Sequence, residues 1–442
     1  MKRFFLSVLF IMSFLRSPLF ADVLPVQPFS TPSGIEVWLV EDHSSPVVSL
    51  ILSFQKREIS SPYTPSSLLL KKALLTGAGL MTPLEMDRFM KETPTNFSLD
   101  AGFLNTELNI KTTREGLEKT LKLWAQLIKT PHFGQMDLSY AKAQTLDLML
   151  DYEQDDEKEA YLKLLQGIFP QVDFMANFKE GAEKVKILKA EVLEIEAKRL
   201  FLNAIPKVVV VGDINQKTLS KILEETMGTL PRSQTKPTKP LFKPQWAPKT
   251  EIVNKVVPQS IVSFGQLGMS PHSKDYAKYL LLEYVIQGRM FDELREKRGL
   301  IYDIQEFSMH LPETDVLVGN FSCDCANATK IAKFIRSEWE RLKDFGITQR
   351  ELTSAKLAFK RAQLLTLTST EAVAEEYSDA LIFNLGPKAA KTHLEQTEKV
   401  DLDEMNNFVQ DFLKPELLSF VLIGPVDKNT QKKDPKNVHP KS

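Results

Sequence analysis

The chain has 442 residues and a formal net charge of −1, from 56 Lys and Arg against 57 Asp and Glu. Its 43% hydrophobic content is that of a globular protein and excludes wholesale disorder or a fibrous repeat. The near-neutral balance lacks the basic excess of a nucleic-acid binder, and the length suggests two to four domains at roughly 100–200 residues each.

The amino terminus reads as an export signal, residues 1–21. Lys2 and Arg3 precede an apolar run over residues 4–15, and the segment closes on Ala21, a small residue where a signal peptide can be cut. The run is short for a membrane span, and no later stretch approaches ~18 consecutive apolar residues. Cleavage would release an exported, periplasmic chain beginning at Asp22. Retention as an anchor is the alternative, because Arg16 interrupts the apolar flank and Leu19 is not small.

In chain order, residues 34–40 and 47–54 are rich in Val, Ile, Leu and Trp and read as strands. The intervening Asp42-His43-Ser44-Ser45-Pro46 gives them a hairpin-like pattern. A helix follows over about 66–76, ending at Gly77, a natural residue just past a helix end. Thr82 and Pro83 open another, as N-cap and first helical position. Alternation over about 97–112 predicts strands, helical periodicity runs from 113 to about 165, and a helix near 193–202 precedes a closing strand. The second half repeats this order.

The repeat is visible residue by residue. Leu68-Leu69-Leu70 echoes Leu280-Leu281-Leu282, Phe133-Gly134 echoes Phe345-Gly346, Trp124 echoes Trp339, and Val208 to Gly212 echoes Phe420 to Gly424, all at nearly one offset. The expected organisation is therefore a first domain over 22–230, a Pro-rich basic linker over 231–249, a second domain over 250–427 and a solvated Lys-rich tail over 428–442. The expected class is α+β: two homologous domains, each a mostly antiparallel sheet with helices packed on one face. Cys323 and Cys325 read as strand packing, since a bridge between i and i+2 is strained and no histidine lies nearby.

The chemistry is defined partly by what is missing. The six histidines stand at 43, 132, 272, 310, 393 and 439, so neither H-E-x-x-H nor H-x-x-E-H occurs. No phosphate-binding loop of the G-x-x-x-x-G-K-[ST] type and no G-x-S-x-G elbow is present. His43 and His132 read as exposed or capping residues. The segment from Gly288 to Tyr302, Gly-Arg-Met-Phe-Asp-Glu-Leu-Arg-Glu-Lys-Arg-Gly-Leu-Ile-Tyr, reads as a charged helix stopped by Gly299 and followed by a strand. Arg295, Lys297 and Arg298 complement the helix dipole there, a structural role. Arg295 and Tyr302 can also converge and present guanidinium and phenol donors to a carbonyl or developing oxyanion.

With this duplicated unit, the Gly-Ile-Glu-Val-Trp-Leu-Val opening strand and Leu-Arg-Glu-Lys-Arg-Gly-Leu-Ile-Tyr, the chain resembles the pitrilysin/insulinase metallopeptidases, in their bacterial, mitochondrial-processing-peptidase-like branch. The likeness spans about 29–427. It implies a first-half helix carrying H-x-x-E-H for zinc, and a second half supplying an Arg and a Tyr, matched by Arg295 and Tyr302. The zinc motif is degenerate: Leu69, Lys72 and Ala73 stand where His, Glu and His belong. The family's distal Glu would fall around 147–153.

The resemblance thus implies the non-zinc subunit of a heterodimeric metallopeptidase. Such a chain has no cofactor of its own and is inactive alone. It supplies Arg295 and Tyr302 to a peptide substrate held with a zinc-bearing homologous partner. The alternative is a catalytically silent peptide-binding or scaffold homologue. No nucleic acid and no stable membrane span are expected.

Overall fold

Two sheets, of six and five strands, share one order over five strands and carry the chain. The computed structural model describes residues 25–425 except 57–59, 78–79, 132, 175–176, 203–204, 232–245, 302–304 and 312–313. The signal segment, most of the linker, the tail after 425, His132, His439 and Tyr302 lie outside the described residues.

The first half runs β1 (Val26–Ser30), β2 (Glu36–Glu41), β3 (Val47–Gln55), α1 (Pro65–Leu75), α2 (Pro83–Glu92), β4 (Thr95–Ala101) and β5 (Asn105–Thr113). It continues with α3 (Arg114–Lys129), α4 (Gln135–Gln154), α5 (Asp156–Ile168), α6 (Phe178–Ile187), α7 (Ala190–Phe201), β6 (Lys207–Gly212) and α8 (Gln216–Glu225). The second half runs β7 (Thr250–Val253), β8 (Ser260–Leu267), α9 (Tyr276–Met290), a π-helical turn (Phe291–Glu296), β9 (Gln305–Met309) and β10 (Val316–Cys323). After these come α10 (Ala328–Phe345), α11 (Gln349–Thr366), α12 (Thr370–Ile382), α13 (Ala389–Lys399), α14 (Leu402–Phe412) and β11 (Ser419–Ile423).

The sheet orders are β1-β2-β6-β3-β5-β4 and β7-β11-β8-β10-β9. In both, the closing strand inserts beside the first long strand and pairs parallel to an outer one, β6 with β2 and β11 with β7. This corrects the expected hairpin: β2 and β3 do not pair, because β6 lies between them, antiparallel to β3. The continuous Val208-Val209-Val210-Val211 run suits that central place, buried on both faces.

Local signals hold where they are chemical. Thr64 caps α1 by accepting from the Ser67 N–H, and Gly77 beyond it has φ +109°, where a Cβ would meet the Met81 carbonyl oxygen at 2.3 Å. Thr82 and Glu85 form a reciprocal capping box on α2, with Pro83 in its first turn. The repeated tryptophans, Trp124 on α3 and Trp339 on α10, are both fully buried.

Each half packs most of its helices on one face of its own sheet, as the α+β expectation has it. The opposite face is covered by a helix from the other half. On the first sheet, Trp38, Val40, Ile51, Val209 and Val211 meet Ala374, Tyr377, Ala380 and Leu381 of α12. On the second, Ile261, Val316, Val318, Val421 and Ile423 meet Leu162, Leu164, Leu165 and Ile168 of α5. Helices α5 and α12 occupy equivalent places in the repeat, so the exchange is reciprocal. Burying a side chain of this size contributes roughly 1.5–3 kcal/mol, which makes the exchanged helices integral to both cores.

Candidate functional site

The helix that would carry the zinc motif is α1. Leucines and Ala73 surround it almost completely: Leu68, Leu69, Leu70, Ala73 and Leu74 are all buried. That pattern suits a helix enclosed by α4, α6 and α7 rather than one lining an open cleft. Leu69 and Ala73 offer no lone pair, and Lys72 between them is half-buried and cationic.

On α4, where a distal carboxylate would be needed, the buried positions are Ala141, Thr145 and Met149, while Asp147, Asp151 and Glu153 are exposed. Among the described residues no group of three or more His, Cys, Asp or Glu is placed to hold a metal. The residues at this place do not fit zinc.

A polar network occupies the adjoining interface instead. Ser67 on α1 donates to Glu196 on α7 at 2.8 Å, and Arg199 donates to both Glu196 oxygens at 2.8 and 2.6 Å. Burial works against the Glu196 charge, but the Arg199 and Ser67 hydrogen bonds outweigh it and hold its pKa below the usual range. Nearby, buried Lys56 donates to the Gly102 carbonyl at 2.6 Å, and burial with the Arg199 charge lowers its pKa to about 8. These contacts pin loops and helix ends.

In the second half, the charged segment is a π-helical turn, a geometry frequent at functional sites. The Lys297 N–H donates to the Asp292 carbonyl at 3.0 Å, and Gly299 closes the turn at φ +59° by donating to the Arg295 carbonyl. The three cations differ. Lys297 and Arg298 both reach Glu293, at 2.5 and 3.6 Å. Arg295 is exposed, with its guanidinium 5.0 Å from the Phe291 ring centre. Among the described residues it makes no ion pair. Ile301 bridges to Cys323 at the end of β10. Tyr302 lies outside the described residues, so its distance to Arg295 is not defined. Cys323 and Cys325 are unbridged.

Sequence reasoning missed a second polar cluster, assembled from α9, β9 and the β9–β10 connection. The Tyr276 hydroxyl donates to Asp315 at 2.9 Å, and His310 Nδ1 lies 3.0 Å from the same oxygen. Burial opposes the imidazolium, yet the bond to Asp315 raises its pKa to about 9. Glu283 bonds Ser308, and burial lifts its carboxyl to about 8. These groups lie between residues 276 and 315 on separate elements, without a local motif. His43, by contrast, is the exposed residue expected, paired with Glu41 and Asp213 at 2.8 and 2.6 Å.

The chain is similar to several known proteins. The sequence model "Peptidase M16 inactive domain" matches residues 193–359. The chain is 24% identical over 341 residues to the Non-peptidase homolog YmxG of Helicobacter pylori, covering 73% of this chain and 78% of that one. The structure of a peptidase M16 inactive domain from Pseudomonas fluorescens superposes with a TM-score of 0.78 at 19% identity, covering 91% and 99%. The periplasmic protease PqqL from Escherichia coli aligns with a TM-score of 0.72 at 14% identity, covering 91% of this chain and 45% of that one.

Proposed function

We propose that this chain, similar to proteins of the peptidase M16 inactive-domain type, is the non-zinc subunit of a two-chain zinc metallopeptidase. In this reading a zinc-bearing homologue supplies the metal. This chain supplies Arg295 and Tyr302 as donors to the bound peptide, and it works outside the cytoplasm after loss of residues 1–21.

The carrying observation is the contrast between the two halves. The place of the zinc motif is filled by buried Leu69 and Ala73, whereas Arg295 stays exposed on a π-helical turn and unpaired among the described residues. Lys297 and Arg298, by contrast, are engaged by Glu293. The assay is co-expression with a zinc-bearing homologue from the same genome. Stable copurification with peptidase activity above that of the zinc chain alone supports the subunit reading, and independent elution with unchanged activity refutes it.

One observation favours a second reading, a silent peptide-binding or scaffold protein: the curated relative is named a non-peptidase homologue. Under it, a complex would form without any dependence of turnover on Arg295.

A further inference from the structure

Beside the edge of the first sheet, a cleft opens between α11, α12 and α13. It has two lobes that share Gln363 and Glu376, one of about 150 Å3 and one of about 500 Å3. The smaller is walled by the rings of Tyr276, Phe359, Phe383 and His393, with Glu376 and Asp379 entering one helical turn apart from α12. The wider presents more apolar than polar surface, with Val26, Leu367 and Leu394 set beside Lys388, Lys391 and Glu395 at its rim.

The charges in the smaller lobe do not balance locally. Neither the Glu376 nor the Asp379 carboxylate accepts a hydrogen bond or forms an ion pair among the described residues. Glu376 is half-buried and Asp379 exposed at the mouth of the lobe; partial desolvation and a like-charged neighbour, Asp379 and Glu375 respectively, raise both carboxyls above their ordinary range. His310 is the cation facing them, but its charge is already matched by Asp315 at 3.0 Å. His393 lies against Tyr276, ring centres 5.2 Å apart, and burial lowers its pKa, so it is a neutral wall. Lys388 and Lys391 belong to the wider lobe, are exposed, and Lys391 reaches Glu395 at 4.0 Å.

We infer that this cleft binds an organic ammonium ion carrying an apolar body. The ammonium lies between the aromatic walls against Glu376 and Asp379, and the apolar part extends into the wider lobe. Aromatic faces attract a cation through their quadrupoles, and a partly desolvated carboxylate strengthens that attraction. A metal ion is a poor fit, since no metal-holding group exists among the described residues. A lobe of 500 Å3 is within the usual range for small-ligand pockets. The occupant would rest on the helix that closes the first sheet, coupling ligand binding to both halves. The inference is independent of the proposed peptidase role.

The test is calorimetric titration of the full exported chain at neutral pH with phenylethylammonium, the neutral isostere phenylethanol, and phenylpropionate. The expected result is saturable one-to-one binding of the ammonium, at least about tenfold tighter than the alcohol, with the carboxylate weakest. Glu376→Gln and Asp379→Asn should each weaken the ammonium about tenfold while leaving the alcohol unchanged. Equal affinity for ammonium and alcohol, no saturable binding, or undiminished ammonium binding in both variants would each overturn the inference. The ligand series on the unaltered chain decides the matter even where a variant fails to fold.

Discussion

Trp38 on β2 and Tyr377 on α12 meet edge to face across the two halves, with ring centres 6.4 Å apart and planes at 75°. The contact is supported by Ser49 and Thr370 hydroxyls 2.7 Å apart, by a Lys111–Glu371 ion pair, and by Lys207 donating to the Leu381 carbonyl at 2.8 Å. The second half thus finishes the first half's sheet.

Cooperative unfolding follows from that exchange. Neither half alone covers both faces of its sheet, so calorimetry should show one main transition. Tyr377→Ala, which empties a buried aromatic site, should cost about 3 kcal/mol. Either half expressed separately should be insoluble or bind hydrophobic dyes. Two independent transitions, one insensitive to Tyr377→Ala, would contradict this.

Stability should fall as pH rises through neutrality. Burial, with Asp379 nearby, lifts Glu107 on β5 to about 7, and burial lifts Glu283 to about 8. Both are raised carboxyls, so their protonated forms stabilise the fold below the unfolded pKa and that contribution is lost as pH climbs through 7 and 8. His310, raised to about 9, has the same sign: its contribution is complete below about 6.5 and lost through 9. Lys56 opposes them, since a lysine lowered to about 8 destabilises the fold as pH falls from 10.5 towards 8. Urea midpoints should therefore decline between pH 5.5 and 8, and Glu283→Gln should flatten the decline.

Two arginines nine residues apart should behave in opposite ways. Buried Arg289 donates to both Glu351 oxygens, at 2.5 and 3.1 Å, and to the Gly346 carbonyl at 3.2 Å. Arg289→Ala removes the guanidinium partner of half-buried Glu351 and should cost about 1.5–3 kcal/mol by denaturant titration. Exposed Arg298, at a helix end, should cost only about 0.3–1 kcal/mol when replaced by Ala.

Zinc should not be recovered by restoring the motif. In Leu69→His, Lys72→Glu, Ala73→His, both imidazoles enter a packed core and the buried face of α4 offers Met149 rather than a carboxylate. Stability should drop by about 3 kcal/mol or more, with less than stoichiometric zinc by metal analysis. One tightly bound zinc per chain, in the native protein or the variant, would contradict this.

The features legible in the sequence were those written in local chemistry. Gly77, Thr82, Pro83 and the recurring Trp124 and Trp339 announce helix ends and a duplicated core without tertiary information. The hairpin expectation failed because the Asp42–Pro46 turn chemistry says nothing about a strand arriving from residue 207. The exchange of α5 and α12 was hidden for a related reason: an apolar helix face looks the same whichever sheet it covers. The Arg295 position was readable as a helix end, but its lack of an ion pair beside two paired cations required the folded turn. The cleft at Glu376 and Asp379 joins residues of four elements and had no sequence signature.

The central claim is that Arg295 and Tyr302 serve a partner's reaction. Its most direct test is the peptidase rate of the reconstituted two-chain complex with unaltered, Arg295→Ala, Tyr302→Phe and Arg298→Ala chains. Loss of one preorganised donor typically costs around 10²–10³ in turnover, so the first two variants should fall by that order with assembly intact, and Arg298→Ala should match the unaltered chain. Equal rates for all four chains would contradict the account and leave a silent homologue.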